Sequence, residues 1–320
     1  MLFRSQNTIK ESSARAYEYP TKDFIEFLEE NGVEATGEID GYLVEQWKQK
    51  RYSEVKPVTV HNNVKHVRVF IKWMQNSELV EYGLYDKVAV PQLSKKQAVS
   101  NEVLDADQAE EISDFLETYE YATRWHALFE LMWHVGCRIS GAIALDMDDF
   151  KVNLGDKLLH FRDRPDLGTP LKNGAKSERN VTISDSVSTV LNDYIAVHRD
   201  DVKDDYDRDP LFTTSSGRLK RQMAYRNISA YSRPCALGKT CPHDKDEKTC
   251  PAARQKKQSY ECPSSISLHP IRRGAITYHI NSGWPLDPLS ERVDVSRDVL
   301  MKHYDARSEE KARENRREYM

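Results

Sequence analysis

Long apolar runs are missing from this chain: nowhere do its 320 residues approach the ~18 consecutive apolar positions of a membrane span. The opening segment, Met1-Leu2-Phe3-Arg4-Ser5-Gln6, lacks the apolar core of a secretory signal. A cytoplasmic protein with no membrane partner is therefore the expectation. Cysteine is scarce, five residues in all. Thiols stay reduced in the cytoplasm, which argues against a disulfide framework. No internal repeat is visible. A strong net charge is also absent, since 47 basic and 51 acidic residues leave −4.

The distribution of charge says more than its sum. From Asp23 to Glu45 there are eight acids and no base. From Gln46 to Lys72 there are seven bases, Lys48, Lys50, Arg51, Lys56, Lys65, Arg68 and Lys72, against the single acid Glu54. From Leu211 to Pro234 there are five bases, Arg218, Lys220, Arg221, Arg226 and Arg233, and no acid. Segregation of this kind lets basic faces meet phosphates while acidic faces keep the molecule in solution.

At ~150 residues per domain the length implies about two domains. The first reads as short helices, with candidates at 23–30 and 42–50. A third helix carries Val60, Val64, Val67, Ile71 and Met74 at i, i+4, i+7, i+11 and i+14, an apolar stripe. Lys65, Arg68 and Lys72 form a polar stripe beside it, suited to a DNA backbone. The segment 88–105 reads as a linker, which places one domain at 1–99 and a second at 100–320. In the second, helices are expected after Asp107 (Ile112, Phe115, Leu116) and through Leu128, Leu131, Met132 and Val135, stopping at Gly136. Strands are expected at 157–162 and 180–184. Ser184 or Asp185 caps a helix bearing Val187, Val190, Leu191 and Tyr194. Further helices are expected at 271–281 and 296–304. The charged tail 306–320 has almost no apolar stripe and is marginal as an isolated helix. The fold class is thus mainly α with a small antiparallel β-sheet.

Five residues in order carry chemistry: Arg138 in Gly136-Cys137-Arg138-Ile139-Ser140, Lys172 in Lys172-Asn173-Gly174-Ala175-Lys176, His269 and Arg272 in His269-Pro270-Ile271-Arg272-Arg273-Gly274, and Tyr304 in Lys302-His303-Tyr304-Asp305. Attack on a phosphodiester builds charge on two non-bridging oxygens, which guanidinium forks match and lysine does not. A tyrosine oxygen is a competent nucleophile that stores the bond energy as a phosphotyrosine. Lys172, or less favourably Lys176, flanks an Asn-Gly turn whose two-residue hairpin projects side chains outward. It would protonate the departing 5' oxygen. His269, one helical turn from Arg272, would move a proton or hold the phosphate. Such a set needs no metal and no nucleotide.

On these boxes, spanning about 105–310, the chain resembles the tyrosine recombinase (phage integrase, Xer-type) family. The run Asp294-Val295-Ser296 to His303-Tyr304-Asp305, with the cysteine-bearing insert, looks most like integrase-like proteins of haloarchaea and their viruses. The resemblance implies a helical core-binding (SAM-like) domain followed by an α+β catalytic domain, closed as a C-shaped clamp on double-stranded DNA. It also implies a 3'-phosphotyrosine intermediate, a monomer when free and a homo-tetramer on synapsed DNA. Two positions depart from the family pattern. Val295 stands where His or Trp is common, nine residues before the tyrosine, and Gly141 stands where Glu or Asp is common. They leave two other readings open: a weak or inactive zinc-containing DNA-binding protein, and a type IB topoisomerase-like relaxer.

The insert at 231–265 holds Cys235, Cys241, Cys250 and Cys262, with His243 nearby. Soft thiolates clustered in a polar loop lead to the expectation of one structural zinc site. Cys137 lies apart from them and reads as a small core residue.

Overall fold

A computed structural model describes residues 11–94, 97, 102–153 and 156–303. The chain separates into two compact units, Met1–Asn101 and Glu102–Met320.

The first unit contains helices α1 (Glu11–Glu30), α2 (Gly41–Glu54), α3 (Pro57–Asn76) and the short α4 (Leu84–Lys87). Helix α2 starts at Asp40, whose Oδ1 accepts from the Leu43 amide at 2.9 Å. Helix α3 starts with Pro57, whose missing N–H costs nothing in the first turn. The valine-rich stripe falls where the period puts it. Val60, Val64, Val67 and Ile71 are fully buried against Phe24, Trp47 and Leu84. On the neighbouring face Lys65 and Lys72 are exposed. The Arg68 guanidinium lies 4.1 Å from the Tyr85 ring centre and the Lys72 ammonium 5.2 Å from it. Arg51, counted in the same basic run, is instead buried. It bonds Asp23 at 3.1 Å and Glu54, and so offers no charge to a ligand.

In the second unit α5 (Ala106–Tyr119) is capped by Asp105, and α6 (Arg124–Val135) by Thr123. Gly136 ends α6 at φ +66°, a left-handed turn that glycine adopts without strain. Helix α7 (Ile139–Ala144) follows at once. Strands β1 (Phe150–Asn153), β2 (Asp156–Phe161) and β3 (Arg179–Thr182) form an antiparallel sheet in sequence order. Leu159 faces Phe150 on one side and Val181 on the other. Helix α8 (Asp185–Asp193) is capped by the Ser184 hydroxyl, which accepts from the Val187 amide at 3.3 Å. A two-stranded ribbon, β4 (Thr213–Thr214) and β5 (Gly217–Arg218), precedes α9 (Arg221–Tyr231). After it come the short α10 (Pro251–Arg254), then α11 (Leu268–Asn281), α12 (Leu286–Val293) and α13 (Arg297–His303). The main core gathers Leu128, Leu131, Met132 and Val135 of α6 with Ile271 of α11 and Leu159 and Val181 of the sheet. Ile276, Ile280, Leu289, Val293 and Leu300 form a separate small core beneath α12 and α13.

Two expectations are corrected here. Strands β2 and β3 are not joined by a two-residue Asn-Gly turn. The connection is longer, and Lys172-Asn173 leads into a 3-10 turn, Gly174–Ser177. Asp163 Oδ1 accepts from the Leu171 amide at 2.7 Å and Glu178 Oε1 accepts from the Asp163 amide at 2.8 Å, so side chains close a wider loop. The run 211–234 is a basic face only in part, with Lys220, Arg221 and Arg226 exposed and the other two bases turned inward. Arg218 reaches Asp204 at 2.7 Å and Asp146 at 2.5 Å, and Arg233 is buried on the carbonyls of Ala230 and Ala252.

His134 makes the unit's stability depend on pH. Its Nε2 accepts from the Ser184 amide at 3.2 Å, and its carbonyl accepts from His279 at 2.9 Å and Arg292 at 3.2 Å. Burial, then the charge of Arg292, push the imidazole pKa down from 6.5 to about 4. The folded state therefore disfavours the protonated ring. Stability is fully present above pH 6.5 and is lost as pH falls toward 4, by about 3 kcal/mol at ~1.4 kcal/mol per unit. Thermal melts across this window should show that loss. They should show less of it in His134→Gln, whose amide still accepts from Ser184 but does not titrate. An identical pH slope in the two proteins would contradict this assignment.

Candidate active site

The turn at Gly136 aims Arg138. A β-carbon at Gly136 would come within 3.1 Å of Val293, so α6 ends tightly against α12. Cys137 is fully buried and its thiol pKa is pushed up by burial, as a core residue's should be. Arg138, at the N-terminus of α7, then turns toward the loop between α12 and α13, with its side chain 32% exposed. Its Nη1 donates to the carbonyl oxygen of Asp294 at 3.1 Å and also pairs with the Asp294 carboxylate.

Arg272 arrives at the same place from α11. It is 3% exposed, and its Nη2 donates to the same Asp294 carbonyl oxygen at 3.4 Å. Two guanidiniums distant in sequence thus share one acceptor. Lys172 is exposed and lines a cavity of about 10 Å³ together with Arg138, Ser177, Arg179 and Asp294; Lys176 does not line it. His269, an exposed residue, sits in the first turn of α11. Desolvation by its neighbours, then the charges of Arg272, Arg273 and Arg138, hold its pKa below the usual histidine value. The imidazole is therefore neutral at neutral pH, able to accept a proton or donate one hydrogen bond. Tyr304 and the tail 306–320 lie outside the described residues; α13 ends one residue before the tyrosine.

Three residues that sequence reasoning missed, Asp294, Ser177 and Arg179, belong to this constellation. Asp294 follows α12 at φ +53°, a left-handed conformation that aspartate accepts more readily than most residues other than glycine. Its carboxylate accepts from Ser177 Oγ at 2.8 Å and Asn173 Nδ2 at 3.3 Å, which ties the Lys172 loop to the arginines. Arg179 secures the sheet to the end of α12, donating to the Arg292 carbonyl at 2.8 Å and stacking 4.2 Å from Phe161. The only sequence cue was an acid within the run Val293-Asp294-Val295. Of the two departures from the family pattern, Gly141 has a packing reason: a β-carbon there would lie 3.3 Å from the Phe161 ring. Val295 packs on the small core under α12 and α13.

The expected zinc site is not shown. Cys235, Cys241, Cys250 and Cys262 are free, half-buried thiols. Among the described residues no three His, Cys, Asp or Glu side chains come together as metal ligands. His243 instead shares a hydrogen bond with Ser264 at 2.8 Å. The insert is tied to its flanks and to itself. Ser259 Oγ donates to the Arg226 carbonyl at 2.9 Å, the Ile266 amide to Ser232 Oγ at 2.7 Å, and Arg233 to the Ala252 carbonyl.

Residues 102–311 match the profile described as the phage integrase family. Among curated proteins, the chain is 24% identical to "Tyrosine recombinase XerC" of Herpetosiphon aurantiacus over 197 residues, covering 61% of this chain and 59% of that one. It is 20% identical to "Tyrosine recombinase XerD" of Oceanobacillus iheyensis over 249 residues, covering 75% of this chain and 77% of that one. Among solved structures it resembles the Tn1549 transposon integrase in complex with a circular intermediate DNA, at TM-score 0.67 and 13% identity, covering 100% of this chain and 97% of that one. It also resembles the XerH site-specific recombinase in a post-cleavage complex, at TM-score 0.63 and 14% identity, covering 91% and 76%. At such identities the structural likeness is one of fold, mainly helical with a small antiparallel sheet. With the family match covering most of the chain, this protein belongs to the phage integrase family of tyrosine recombinases, enzymes that break and rejoin DNA.

Proposed function

We propose that this chain is a site-specific recombinase that cuts and rejoins double-stranded DNA through a 3'-phosphotyrosine intermediate. The phenolic oxygen of Tyr304 attacks the phosphorus and gives up its proton to His269 or water. The bond from phosphorus to the 5' oxygen breaks, and Lys172 protonates that oxygen. Rejoining reverses the sequence with a 5' hydroxyl as nucleophile. Arg138 and Arg272 hold the two non-bridging oxygens, where charge accumulates. The observation that carries this reading is the convergence of those two guanidiniums on one oxygen, with Lys172 at the same cavity.

The polar stripe of α3, Lys65, Arg68 and Lys72, supplies backbone contacts from the first unit, acting as a core-binding domain. The working form is a tetramer on paired DNA sites, assembled from free monomers in the cytoplasm. Neither the family nor the relatives described above support the relaxer or inactive-binder readings. The haloarchaeal affinity rests on motif and insert alone.

The test uses a nicked duplex carrying a site that the protein enriches from a random-sequence library. Wild-type protein should form an adduct that survives denaturation, and Tyr304→Phe should form none. An adduct persisting in Tyr304→Phe would refute the nucleophile.

A further inference from the structure

We infer that Asp294 is an internal stand-in for the scissile phosphate. It occupies the arginine pair in the DNA-free protein and is exchanged for phosphate when DNA arrives. This deepens, and rests on, the reading of Arg138 and Arg272 as the phosphate clamp. The carboxylate of Asp294 pairs with Arg138 and accepts from Ser177 at 2.8 Å, while its carbonyl takes both guanidiniums. A guanidinium fork meets carboxylate and phosphate with the same geometry, so one anion substitutes for the other. Both compete for one donor, since Nη1 of Arg138 already holds the Asp294 carboxylate. A phosphate that takes this donor displaces its present neighbour.

Asp294 is the neighbour built to withdraw. Its side chain is 14% exposed, and it sits on the short connection between α12 and α13. Its backbone is left-handed at φ +53°, a conformation aspartate tolerates, which presents its carbonyl and its carboxylate to the same Arg138 nitrogen. The same chain continues through α13 to Tyr304. Withdrawal of Asp294 therefore links arrival of the phosphate to a shift of the segment that carries the nucleophile. It also frees Asn173 and Ser177, and with them the Lys172 loop.

The experiment titrates inorganic phosphate into the full chain by calorimetry, comparing wild type with D294N and D294G. Both substituents tolerate the left-handed backbone. Each variant should bind phosphate about tenfold more tightly than wild type, the scale of one charge-assisted hydrogen bond. Adding R138A to D294N should abolish the gain. Phosphate affinity in both variants equal to or weaker than wild type would overturn the exchange. The nicked-duplex assay separates this outcome from failure of the recombinase reading. Adducts without a phosphate gain reject the stand-in alone, while a phosphate gain without adducts rejects the chemistry and leaves the stand-in in place.

Discussion

Replacing Gly274 by alanine should cost the second unit about 3 kcal/mol or more, the upper range for forcing extra volume into a packed interior. A β-carbon there would lie 2.0 Å from the Leu104 carbonyl oxygen and 2.8 Å from the Trp133 ring. The first of these atoms belongs to the backbone and has no rotamer through which to escape. That backbone is fixed in turn, because the Leu104 amide donates to the Pro270 carbonyl at 3.1 Å. Helix α11 therefore has to slide away from 104, carrying Arg272 with it. For a unit of this size the loss corresponds to a fall in Tm of about 6–12 °C. Differential scanning calorimetry gives the number directly. A Tm within two degrees of wild type would show that the helix has slack the packing does not reveal.

Arg272→Lys should leave the fold intact and lower the rate of covalent adduct formation by about 10²–10³-fold, the loss expected when one preorganised transition-state donor is removed. The charge is retained, so the buried position is not left neutral among its neighbours. What disappears is the planar fork, which engages two phosphate oxygens at once where an ammonium engages one as a point charge. Overall DNA affinity should change little, because it is spread over many backbone phosphates. Single-turnover cleavage of the nicked duplex and a binding titration, run side by side, separate the two effects. A rate within tenfold of wild type would mean that Arg272 braces the Asp294 loop without touching the phosphate.

How far the sequence could be read depended on how local each feature was. The α3 stripe was legible because five apolar positions at helical spacing have one way to be buried together, and all five are. The stop at Gly136 and the cap at Ser184 were legible for the same reason, each being settled within a few residues. Strand β1 was not seen. Phe150-Lys151-Val152-Asn153 is too short to show a period, and its pairing with β2 is what makes it a strand. The Asn173-Gly174 pair sent a strong local turn signal that hydrogen bonds from Asp163 and Glu178 overrode. Cysteine spacing gave a weaker guide: closeness in sequence does not by itself bring three metal-binding side chains together, and among the described residues none are. Of the candidate site, the arginines, lysine and histidine were named from motifs. Asp294 was not, because an acid between two short helices has meaning only once Arg138 has folded against it.

The small core of Ile276, Ile280, Leu289, Val293 and Leu300 has a mechanical consequence. Helices α12 and α13 close over it, but they are not equally anchored. Bonds from Arg179, Arg292 and Ser177 rivet α12 and Asp294 to the sheet, the end of α6 and the Lys172 loop. Helix α13 lies past the last rivet and leans on the rest through Leu300, so chemistry mounted beyond it is re-aimed at the energetic scale of a few side chains instead of a whole domain.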